Sequence, residues 1–225
     1  MKLRLRVLVA VSILTLGVTG AGVETRAESA NAGAATRGCP PAQIFATDNT
    51  AIITDPADPR LKTRLTRFDH EVRGIIHANG ARPGPSKLLN GLFWSRELEK
   101  TTYERSREFD VGHVSPDGLR HIAGVIRKRY HQESVLTFRC LARISPATDA
   151  VEIQASGVSP TALRDALLAD PEARDELGGG SVTLDGRLIL VAPVADLPVA
   201  KKLTQALGVD WDTAQVRYGD EEFVS

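Results

Sequence analysis

The sequence predicts an α+β fold: a mainly antiparallel sheet with helices on one face, built from split β-α-β-like repeated units. Three observations lead there. Stretches with a single apolar helical stripe are interleaved with short apolar runs of strand length. Asp185-Gly186, set between Ser181-Val-Thr-Leu and Arg187-Leu-Ile-Leu-Val, is a strong hairpin signal. Val114-Ser-Pro-Asp-Gly-Leu-Arg and Val158-Ser-Pro-Thr-Ala-Leu-Arg agree at five of seven positions, and each opens a helix that leads into a strand. That match suggests repeated strand-helix-strand units over 103–140 and 150–194.

The N-terminus sets the expected compartment. Lys2, Arg4 and Arg6 precede an uncharged run from Val7 to Val23, whose strongly apolar part ends at Val18 before small residues. A basic start, a short apolar stretch and small residues near Thr19-Gly20-Ala21 describe a secretory signal peptide over 1–21. The alternative is an uncleaved membrane anchor, since the uncharged run is at the lower limit for crossing a bilayer. Residues 22–41 lack apolar periodicity and read as a flexible leader, which leaves 42–225 as a single domain. Its composition, 42% hydrophobic and 25% charged, suits one globular core. Cleavage would remove Lys2, Arg4 and Arg6 and no carboxylate, turning a formal net charge of zero into −3. That balance argues against nucleic acid as a partner. The two cysteines, Cys39 and Cys140, are expected to form one disulfide in an oxidising compartment.

Along the domain, Ala51-Ile52-Ile53 reads as a short strand. A helix is expected over about 59–78, capped by Asp58, with Pro59 at its first position and Leu61, Leu65, Phe68, Val72, Ile75 and Ile76 on one stripe. His70 and His77 fall opposite that stripe, as solvated residues do. Breakers make 81–86 a loop, and Leu88–Trp94 a strand bent at Gly91. Ser115 caps the next helix, whose basic C-terminus (Arg127, Lys128, Arg129) complements the helix dipole. Strands follow at 135–140 and 150–154. A helix from Ser159-Pro160 is interrupted at Asp170-Pro171 and ended by Gly178-Gly179-Gly180. After the hairpin come a helix over about 197–207, a short strand at Gln215-Val-Arg-Tyr, and Asp220-Glu-Glu as a solvated acidic tail.

The stretch 103–115 holds the candidate site. Extended, it puts Tyr103, Arg105, Arg107, Phe109 and Val111 on one face and Glu104, Ser106, Glu108 and Asp110 on the other. Tyr103, Arg105 and Arg107 form a candidate ligand-binding set, because paired guanidiniums between aromatic rings grip a carboxylate or phosphate. The bland alternatives are a charged edge strand or a helix continuing from Arg96. Asp110 and His113 are the candidate catalytic pair, a carboxylate orienting an imidazole beside the Ser115 hydroxyl, which the helix cap already engages. Metal ligation by Asp110 and His113 lacks a second histidine at ligand spacing, so no metal is assigned. No cofactor or hydrolase motif occurs, and no cofactor is expected. The function expected is therefore a secreted, non-catalytic binding protein whose partner is a protein or cell-envelope component, with no stable membrane insertion after signal cleavage. The alternative is a small exported hydrolase, with or without metal assistance, acting on an anionic substrate.

Overall fold

The structure is a computed structural model, describing residues 42–50, 60–95, 100–102 and 106–225. The expected signal peptide, leader, Cys39, strand at 51–53, Tyr103 and Arg105 lie outside the described residues. The elements run β1 (Ala42–Ala46), α1 (Arg60–Ala78), β2 (Arg82–Ser95), β3 (Lys100–Thr102), β4 (Ser106–Gly112), α2 (Pro116–Arg129) and β5 (Val135–Cys140). They continue with β6 (Ala150–Ser156), α3 (Pro160–Ala169), α4 (Pro171–Glu176), β7 (Gly179–Thr183), β8 (Arg187–Pro193), α5 (Leu197–Ala206) and β9 (Gln215–Val224).

The fold is α+β, and every strand pairing among the described residues is antiparallel. The sheet order is β3-β2-β4-β1-β5-β9-β6-β8-β7, and β2 also pairs with β7. That extra pairing closes eight strands into a barrel, with β3 appended beside β2. Two split β-α-β units compose it: β1-α1-β2-β4-α2-β5 and β6-α3/α4-β7-β8-α5-β9. Each unit alone would present two bare sheet edges; joining β5 to β9 and β2 to β7 removes all four. The repeat therefore spans the strands from 42–140 and 150–224, wider than the 103–140 and 150–194 units expected. The Ser-Pro match does not follow it, because Val114-Ser-Pro opens the second helix of unit one and Val158-Ser-Pro the first helix of unit two.

Sequence determines most helix boundaries. Ser115 Oγ accepts from Gly118 N at 3.1 Å and Ser159 Oγ from Ala162 N at 3.1 Å, each with proline next in line. Asp170 ends α3 and caps α4, accepting from Ala173 N. Two readings change. The breaker-rich 81–86 segment is the start of β2, made irregular by a register shift between Pro83 and Ser86. The acidic C-terminus is no tail but the second half of β9, paired with β5 from Val135↔Val224 to Cys140↔Gly219. Asp220 there meets Arg139 at 2.8 Å, and Glu222 meets Arg120 at 2.6 Å.

Strand alternation divides the core into three. Outward residues of unit one (Ile44, Phe109, Val111, Val135) pack on α1 and α2. Phe68 stands edge-on to both Phe109 and Tyr130, with ring centroids 5.6 and 4.6 Å away. Outward residues of unit two (Val151, Ile153, Leu188, Leu190) pack on α3, α4 and α5. Inside the barrel, Phe45, Leu89, Leu136, Phe138, Ile189 and Val191 form the third cluster. An eight-stranded barrel is just narrow enough for side chains to fill, and the void among these residues is only about 10 Å³.

Candidate functional site

The rest of the barrel interior is polar and partly charged. β4 turns Arg107, Phe109 and Val111 toward the helices and Ser106, Glu108 and Asp110 inward, the alternation the sequence predicts. Glu108 is 1% exposed and accepts from Lys87 Nζ at 3.0 Å and from Gln43 Nε2. From the other unit, Glu152 is fully buried and accepts from Arg217 Nη2 at 2.9 Å and Gln154 Nε2 at 2.7 Å. Both ion pairs join directly opposed residues, Lys87↔Glu108 and Glu152↔Arg217. Burial, helped by Glu108, pushes the Glu152 carboxyl up to about 7 against the pull of Arg217. Burial and then Glu108 raise Asp110 above the usual carboxylate range, with Lys87, Arg217 and a hydrogen bond from Gln43 acting the other way. Glu108 Oε2, Glu152 Oε2, Asp110 Oδ1 and Arg217 Nε are all buried without a hydrogen-bond partner.

Asp110 is also where the charged interior reaches the surface. It lines an open cleft of about 750 Å³ with Arg73 of α1, Arg82, Pro83, Gly84 and Pro85 of β2, Gly112, and His113. The β2–β4 ladder explains the opening. Pro83 pairs with Val111 and Ser86 with Phe109, so Gly84 and Pro85 together oppose Asp110 in a bulge. Only glycine fits there, since a Cβ on Gly84 would lie 2.8 Å from Asp110 Cβ. The flanking prolines have no N–H to leave unpaired. His113 follows β4 with φ 54°, a left-handed conformation that costs a non-glycine residue of order 1 kcal/mol. It is exposed, and no hydrogen bond joins it to Asp110. Neither Arg73 nor Arg82 is engaged by a carboxylate among the described residues.

The sequence-derived candidates thus separate. Asp110 and His113 share one cleft. Arg107 lies on the opposite face of β4, where its Nη2 donates to Ser86 Oγ at 2.9 Å and its Nε sits 3.6 Å from Asp69. Ser115 is engaged as the helix cap. Cys140 ends β5 half-buried, and the described residues contain no free cysteine. They contain no cluster of metal-ligating side chains either. Sequence reading missed Lys87, Glu152, Gln154 and Arg217, although a signal was present. Glu152 and Gln154 alternate with Val151 and Ile153, and Arg217 stands between Val216 and Tyr218. Polar residues alternating in strands with no exposed face mark a polar interior.

No family model matches the chain. No curated protein matches it. Among solved structures, an anthrone oxidase-like protein is 12% identical, aligned over 82% of this chain and 92% of its own, with a TM-score of 0.24. A likeness that slight transfers nothing to this chain.

Proposed function

We propose that this chain is an exported, non-catalytic binding protein that holds an oxyanion of a protein or cell-envelope component in the cleft at Asp110 and His113. The observation that carries the reading is the convergence of Arg73 and Arg82, both lacking a carboxylate partner among the described residues, on one open cleft. Guanidiniums bind carboxylates and phosphates bidentately, and a cleft lets two of them act on one group. Export and a Cys39–Cys140 disulfide belong to the same proposal, motivated by the N-terminal pattern and the cysteine count. Among the described residues no helix is long and apolar enough to cross a membrane.

Calorimetric titration and thermal shift with sulfate, inorganic phosphate and succinate test the reading. A ligand at a hundred times its Kd stabilises the fold by about 2.7 kcal/mol. The protein should show such a shift with at least one of the three, and Arg73→Ala with Arg82→Ala should remove it. Equal shifts in both proteins would rule the cleft out.

The hydrolase reading draws support from Asp110 and His113 lining the same cleft. It requires that a phosphate or carboxylate ester be cleaved and that His113→Ala abolish the cleavage. Turnover unchanged in that variant would exclude His113 as the catalytic base.

A further inference from the structure

We propose that Asp110 serves in this cleft as a carboxylic acid, donating a hydrogen bond to one oxygen of an oxyanion whose other oxygens face Arg73 and Arg82, so that the ligand enters together with one proton. The inference rests on the anion-cleft reading above and names what that cleft selects: an oxygen-rich anion with an acceptor to spare, such as a carboxylate, phosphate or sulfate, in preference to a halide.

Placement of charge behind the cleft supports it. Among the described residues, the cations beside the buried carboxylates are already committed: Lys87 to Glu108 at 3.0 Å and Arg217 to Glu152 at 2.9 Å. Asp110 has no cation within salt-bridge distance among the described residues. Glu108 lies two residues away on the same face of β4, and Gln43, opposite Asp110 on β1, divides its amide between Glu108 and Asp110 and brings no positive charge. Asp110 Oδ1 is buried without a donor. The groups facing this carboxyl are therefore Glu108 on β4, Gln43 on β1, Lys87 and Arg82 on β2, Arg217 on β9, Arg73 on α1 and His113 in the turn. An ionised Asp110 would present a second negative charge to any anion drawn in by the arginines. At contact distance in a partly desolvated site, that repulsion favours a proton on the carboxyl. A protonated carboxyl turns the repulsion into a short hydrogen bond. The upward displacement of the Asp110 pKa in the free protein acts in the same direction.

The test uses the full chain with sodium sulfate, an anion with no proton to exchange near neutral pH. Calorimetric titration in buffers of different ionisation heat counts the protons taken up. The expected result is close to one proton per sulfate, with affinity falling about tenfold per pH unit above the Asp110 pKa. His113→Gln should keep that uptake. Asp110→Asn, whose amide still donates a hydrogen bond, should bind sulfate with no uptake and no such pH dependence. Binding by the unmodified chain without uptake overturns the proposal and leaves the anion cleft standing. Uptake that persists in Asp110→Asn and vanishes in His113→Gln reassigns the proton to the imidazole and also overturns it. No binding of sulfate, phosphate or succinate removes the cleft reading itself.

Discussion

Glu108 and Glu152 come from different units of the barrel, yet both carboxylates are buried in its interior, each held by a cation from the neighbouring strand of its own unit. The two halves therefore meet inside through charge at one level and through Phe45, Leu136, Phe138 and Ile189 at another. An ion pair this deep is weak evidence for stability, since desolvation offsets most of the attraction. Its consequence is a pH dependence.

Glu152 ionises near 7 in the folded chain and near 4.5 when unfolded. The folded state holds the proton more tightly, so this group's contribution is fully present below about pH 4.5 and is lost as pH rises through 7. Chemical denaturation between pH 5 and 8 should show stability declining over that window. Glu152→Gln should flatten the decline. An unchanged slope in the variant would assign the dependence to another group.

Arg217 is 5% exposed and pairs with Glu152. Replacing it with Met leaves a buried carboxylate without its cation, a change that costs about 3–5 kcal/mol. The loss should be largest at pH 8 and smaller at pH 5, where Glu152 takes a proton instead. Equal losses at both values would show that the guanidinium contributes through packing alone.

Gly219 and Gly74 form a matched pair for substitution by alanine. A Cβ at Gly219 would lie 2.2 Å from the Arg139 carbonyl oxygen and 2.6 Å from the Phe138 ring, on the seam that joins the units. Gly219→Ala should cost about 3 kcal/mol or more and broaden the unfolding transition. Gly74 is exposed in the middle of α1 with nothing near its Cβ position. Gly74→Ala should stabilise by about 0.5–1 kcal/mol, because it restricts the unfolded chain and favours the helix.

Phe68 joins α1 to both β4 and the end of α2 through its contacts with Phe109 and Tyr130. Phe68→Ala should destabilise by about 3–5 kcal/mol. The denaturation midpoint should fall while the 750 Å³ cleft, lined by other residues, keeps its sulfate affinity at temperatures where the variant is folded.

The sequence alone determined what depends on neighbours along the chain. The α+β class, helix starts at Ser115 and Ser159, the break at Asp170-Pro171, the Asp185-Gly186 hairpin and the two-faced alternation of β4 all follow from capping, ring constraints and period. That Asp110 and His113 lie near one another was likewise legible, because they sit a few residues apart at a strand-to-helix turn. Barrel closure was not: the β2–β7 and β5–β9 pairings join residues far apart in sequence, and no local preference encodes which edge meets which. The same distance hid Arg73, Arg82, Glu152 and Arg217. Whether a charged side chain is solvated or, like Glu152, enclosed in a core depends on what the rest of the chain lays over it, and only the tertiary structure decides that.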